Sequence, residues 1–173
     1  MTYNIHSIIV HFPVAMLFVY SVVKILPLQK WFPSVAWKDI ERALLVVGVL
    51  GACAALITGE TAEHLVRPNH QLVEAHSTFA TIATYVYGAL LAGELASIIN
   101  SKKYVYGKSW QWISTILLLV ERVFCNKVFS VILAIAGFVA ISVTGMLGGI
   151  IAYGLTADPI APLLLKVLGI ALG

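Results

Sequence analysis

Four apolar runs set the terms for this chain: residues 5–26, 43–66, 72–99 and 128–153. Each is near or above the ~20 residues that a helix needs to cross the hydrocarbon of a bilayer. Composition agrees, because 60% of residues are hydrophobic and only 11% are charged, too few to build a surface that faces water. The expected fold is all-α: an integral membrane four-helix bundle, one membrane domain over residues 1–173. The helical period of the pattern excludes a membrane β-barrel. No nucleic-acid partner is expected; the surrounding partner is membrane lipid.

The basic residues orient the bundle. Lys24, Lys30, Lys38 and Arg42 fall between the first two runs, and Lys102, Lys103, Lys108, Arg122 and Lys127 between the last two. Only Arg67 and Lys166 fall on the other face. Positive charge marks the cytoplasmic side, so both termini are expected outside. Trp31, Trp37, Trp110 and Trp112 flank the basic loops, where interfacial anchors belong. Residues 109–125 are too short to span and end in charge, which predicts an interfacial helix. The apolar C-terminal segment that begins DPIAP is expected along the outer interface or against a partner protein. Cys53, among Gly and Ala, reads as a small buried hydrophobe rather than a redox group.

With the helices so oriented, all five histidines lie at the outer end: His6, His11, His64, His70 and His76, with Glu60, Glu63 and Glu74 beside them. Intramembrane ionisable residues are functional by default, so this is where a site is expected. Depth sorts them further at ~1.5 Å per residue. His11, Glu60 and His76 form a deeper layer on three helices, while His6, His64 and His70 sit within a turn of the interface. At ~100° per residue His6 and His11 are about 140° apart and cannot both point at one metal ion. Pro13 lacks an N–H and crowds the carbonyl of Ile9, so the first helix should bend beside His11. On the third helix His76, Ala80, Ala83, Tyr87 and Glu94 share one stripe. Gly48, Gly51, Gly145, Gly148 and Gly149 suit close helix packing in lipid, and equally a flat group pressed on a helix backbone.

Two imidazoles from facing helices, with small residues beneath them, match what a b-type haem requires of its axial ligands. His11 and His76 are the expected pair, with His6 as the alternative to His11. Glu60 and Glu63 are expected to orient an imidazole or meet a propionate. A different class of function uses the same side chains: two His and a Glu, with His64 as a further ligand, also suit a non-haem zinc, iron or copper site or metal transport. A third reading is a non-catalytic anchor of a respiratory complex. No hydrolase or phosphate-loop motif is present, so an electron-transfer subunit is favoured over a stand-alone enzyme. Glu94 reads either as a proton-path residue or as a side chain reaching the interface near Lys102 and Lys103.

HSIIVHFPVAM, ITGETAE, EAHSTFA and GMLGGIIAYG together resemble the conserved stretches of a bacterial family of small four-helix membrane proteins of unknown function. The resemblance runs over essentially the whole chain, and the paired histidines before Phe-Pro are its most specific part. It implies that His6, His11 and His76, with Glu60 and Glu63, are the shared polar residues, and that His64 and His70 are not. Some members are fused to Rieske iron–sulfur domains, which implies electron transfer between a quinone pool and c-type cytochromes or iron–sulfur proteins. It also implies a bacterial inner membrane, with the histidine-rich end facing the periplasm. Where many members place a His after the Tyr that ends the fourth helix, this chain has YGLTADP. One haem is therefore expected, with two as the alternative, and a quinone as a second small-molecule partner.

Overall fold

The computed structural model describes residues 5–66, 69–101, 111–157 and 159–170, and of residues 63–66 and 157 the backbone alone. Helices α1 (Ile5–Ile9) and α2 (His11–Ile25) make the first span, followed by a short α3 (Leu28–Trp31). Then come α4 (Trp37–Val66), α5 (His70–Ser101), α6 (Gln111–Phe124), α7 (Lys127–Tyr153), a 3-10 turn (Leu155–Ala157) and α8 (Ala161–Leu168). Four stretches are long and apolar enough to cross a membrane: Ile5–Ile25, Trp37–Ala62, His70–Ser101 and Lys127–Tyr153. No strand occurs among the described residues.

Local chemistry sets the helix ends. The first span breaks at Val10, where Pro13 denies the Ile9 carbonyl its usual partner, one residue before His11. Asn126 caps α7, its side-chain oxygen accepting from the Val128 and Phe129 amides at 3.1 Å each. Gly169 closes α8 at φ 68°, a left-handed backbone that favours glycine.

The four spans form a ring in which α2 packs on α4, α4 on α5, α5 on α7 and α7 back on α2. Leu17, Tyr20, Leu45, Val49, Ala83, Tyr87 and Ala134 fill the centre. Large apolar side chains also cover the outside: Leu50, Ile57 and Val128 are more than 60% exposed, as a bundle bathed in lipid requires. Cys53 belongs to this outer surface, which corrects the expectation that it is buried. One polar bond ties the core together. Ser21 Oγ and Tyr87 OH lie 2.7 Å apart and both residues are buried, while Tyr20 meets the Tyr87 ring edge-on. Tyr87→Phe removes one partner and leaves the Ser21 hydroxyl unpaired in an apolar core. A loss of about 1 kcal/mol is expected, read as a lower unfolding midpoint in detergent.

At the basic end the helices extend beyond the apolar runs because their charges are matched. Helix α4 starts at Trp37 and carries Glu41 and Arg42 in adjacent positions. Glu41 accepts from Lys24 of α2 at 2.9 Å, and Arg42 Nε donates to Glu94 of α5 at 3.0 Å. Glu94 is thus an ion-pair partner of α4. Lys102 and Lys103, named above as its neighbours, lie outside the described residues, as does Trp110. Helix α6 is a 14-residue amphipathic helix with no buried residue, docked on the end of α5, where Asn100 donates to Glu121 at 2.6 Å. Helix α8 folds back onto the opposite end of its own bundle. Its Ala161 and Leu165 join Leu72 of α5 and Leu147 and Ile150 of α7 in a second apolar cluster. The C-terminal segment therefore covers its own α5/α7 flank, and only its outer face, with Leu163 and Val167, is exposed.

Candidate functional site

At the end away from the basic residues stand His6 and His76, each tied to a neighbouring helix. His6 stands on the short helix α1, which packs on α4. Its Nδ1 lies 3.0 Å from Thr58 Oγ1. Thr58 spends its only hydroxyl proton on the carbonyls of Ala54 and Ala55, at 3.0 and 3.2 Å. His6 must therefore be the donor through Nδ1–H, which leaves a lone pair on Nε2. His76 reaches the same state by another route. Its Nδ1 lies 3.0 Å from the Thr144 carbonyl oxygen, which can only accept. So its proton also sits on Nδ1, and its Nε2 carries a lone pair.

Both rings lie against glycines. A Cβ added at Gly59 would come 3.6 Å from His6 Cε1, and one at Gly148 would come 3.2 Å from His76 Cε1. The clearance at Gly148 is thus filled by the imidazole itself. The arrangement offers two neutral, oriented imidazole nitrogens on different helices, each tied at its far nitrogen by the protein. That is how ligating histidines are ordinarily held.

The other expected residues fall elsewhere. His11 stands on the exposed face of α2, and its Nδ1 donates to the Ser7 carbonyl at 2.5 Å. The expected pair is His11 and His76; the rings tied to a neighbouring helix are those of His6, on α4, and His76, on α7. Rotation explains the exchange: α2 buries Pro13, Leu17 and Ser21, and His11 lies off that face. Ala15, one turn below His11, is exposed and lines no gap between helices. Glu60 is exposed on α4, and the side chains of Glu63 and His64 lie outside the described residues. His70 and Glu74 are exposed neighbours, 3.8 Å apart. Among the described residues no group of three or more His, Cys, Asp or Glu side chains converges as a metal site would require.

Sequence reasoning passed over Thr58 and Thr144, which orient the two rings. The signal was a Thr-Gly pair in each of α4 and α7, Thr58-Gly59 and Thr144-Gly145, at the level of the histidines. Two open hollows lie away from these rings. One of about 700 Å³ lies over α6 beside Arg122 and Cys125. Another of about 360 Å³ lies between the outer end of α5 and Gly169.

No curated protein and no solved structure matches the chain. Residues 2–158 match the model of the family described as "Predicted membrane protein (DUF2231)", and the chain, an all-α protein with four apolar spans, belongs to that family.

Proposed function

We propose that this protein binds a b-type haem through His6 and His76 and serves as an electron-transfer subunit in a bacterial inner membrane, its histidine-rich end toward the periplasm. The observation that carries this reading is what the two rings share: each stands on a different helix with its Nδ1 held 3.0 Å from a protein oxygen. The donor set fits the group. A porphyrin brings four nitrogens of its own, so two imidazoles complete the coordination of its iron. A zinc or copper ion would ask the protein for three or four ligands, and the described residues supply two. This favours haem over the non-haem metal site.

A bound haem supplies a one-electron ferric/ferrous couple. The residues do the rest. Thr58 and the Thr144 carbonyl fix the imidazole tautomers and raise the basicity of Nε2. The apolar bundle excludes water, and Glu60, exposed on α4, would be available to a propionate, as Glu63 is expected to be. The expected electron partners are the quinone pool on one side and c-type cytochromes or iron–sulfur proteins on the other, within a larger complex. The protein purified from membranes should show a Soret band and a sharp α band on reduction, with one haem per chain by pyridine haemochrome assay. A colourless preparation from haem-replete cells overturns the proposal. Stoichiometric zinc or copper in such a preparation would instead support the metal-binding alternative.

A further inference from the structure

At the basic end of the bundle, where α6 turns into α7, two donor groups line one hollow and have no acceptor. The hollow, of about 700 Å³, is bounded by Thr115, Glu121 and Arg122 of α6 and by Asn126 at the turn. Thr115 donates its hydroxyl proton to the Gln111 carbonyl at 3.1 Å, and Glu121 accepts from Asn100 of α5 at 2.6 Å. Asn126 is only half engaged. Its side-chain oxygen takes the Val128 and Phe129 amides, which fixes the orientation of its own amide and leaves the two N–H bonds of Nδ2 outside the cap. Arg122 is exposed and forms no ion pair or hydrogen bond among the described residues. Lys127, the next residue after Asn126, is exposed and unpaired among them too. A guanidinium and an amide N–H₂ four residues apart suit a ligand that is anionic and rich in acceptor oxygens.

The apolar surface around the turn indicates where such an anion comes from. On α6, Trp112, Ile116, Leu119 and Val123 lie within about 60° of one another and all are exposed, the stripe that an interfacial helix lays on acyl chains. On α7, Val128, Ile132, Ile135 and Val139 form a second exposed stripe of the same width, which starts two residues after Asn126 and runs into the membrane. In the orientation that the basic residues set, this end meets the cytoplasmic leaflet, whose lipids carry negative charge.

We propose that the hollow at the α6/α7 turn binds the phosphate of an anionic phospholipid, Arg122 taking its two free oxygens and Asn126 Nδ2 donating to the same group. The acyl chains then run along the apolar stripes into the bilayer. Glu121, the carboxylate in the hollow, is engaged by Asn100, and Arg122 and Lys127 together outweigh its charge. The site uses neither haem ligand and stands independently of that reading.

The test is ligand-induced stabilisation of the purified full-length protein in neutral detergent. Dioleoylphosphatidylglycerol should raise the unfolding temperature by several degrees and dioleoylphosphatidylcholine by much less. Inorganic phosphate, which has no acyl chains, should not raise it. Arg122→Gln should weaken apparent affinity for phosphatidylglycerol about tenfold, the worth of one charge-assisted hydrogen bond. Asn126→Asp is the sharper variant. Aspartate caps a helix as well as asparagine does, so α7 should fold as before, but a carboxylate oxygen replaces the free amide and the shift should vanish. Lys30→Gln, at the same end on α3 but outside the hollow, should keep the shift. Equal shifts for the two lipids, a shift given by inorganic phosphate alone, one that survives both Arg122→Gln and Asn126→Asp, one that Lys30→Gln also abolishes, or none in the unaltered protein overturns the proposal.

Discussion

Purified His76→Ala protein is expected to be colourless, and His6→Ala likewise, while His11→Ala keeps its full Soret band and reduced α band. The three residues are close in sequence composition and all lie toward one end of the bundle, so the contrast is a sharp one. It follows from where each Nδ1 proton is held. His6 and His76 are oriented by Thr58 and the Thr144 carbonyl, on α4 and α7. His11 is tied to its own backbone at Ser7 and faces outward. If the two imidazoles hold a haem as proposed, loss of either would remove half of the protein's hold on the iron. Haem content per chain should therefore fall at least tenfold in the first two variants and stay unchanged in the third. Retention of haem by His6→Ala together with its loss in His11→Ala would move the site to the exposed face of α2. A milder probe is Gly148→Ala, whose new methyl would press on His76 Cε1 at 3.2 Å. The band positions should shift while haem stays bound.

Gly137→Ala should be strongly destabilising. The added Cβ would stand 2.7 Å from Tyr87 Cζ and 3.0 Å from both Cε atoms. A flexible side chain could swing aside, but Tyr87 is fully buried, meets Tyr20 edge-on and is held through its hydroxyl by Ser21. Either α5 and α7 separate or the phenol leaves its partner. Overpacking of this kind costs about 1–3 kcal/mol, and the lost hydrogen bond adds about 1 kcal/mol. Unfolding in mixed detergent micelles should show a midpoint well below that of Gly149→Ala, where the same methyl meets open space. Equal midpoints for the two variants would mean that the α5/α7 seam is looser than it is here.

The spans were legible because hydrocarbon leaves a chain so few choices. Length, apolarity and the placement of Lys and Arg were enough to set four helices, and the crowding of histidines at one end pointed to the site region. What the sequence did not settle was rotation. A lipid-facing helix is apolar all round, so the buried face of α2 carries no hydrophobic contrast with the exposed one. Ranking by depth favoured His11 for that reason. What sets His6 apart is Thr58 of α4, whose hydroxyl oxygen its ring meets at 3.0 Å. The start of α4 at Trp37 was hidden for a different reason. Asp39, Glu41 and Arg42 read as loop until their partners on α2 and α5 are known, since a charge becomes compatible with a helix end in the membrane only when it is matched.

Helix α8 bears on the neighbours this protein keeps. The family match ends at residue 158 and α8 begins at Ala161, with its apolar stripe seated on Leu72, Leu147 and Ile150. Without it, that flank of α5 and α7 would be a bare apolar strip, open to any passing hydrophobic helix. With it, that strip is covered by the chain's own residues, and anything approaching from that side meets Leu163 and Val167 of α8 instead.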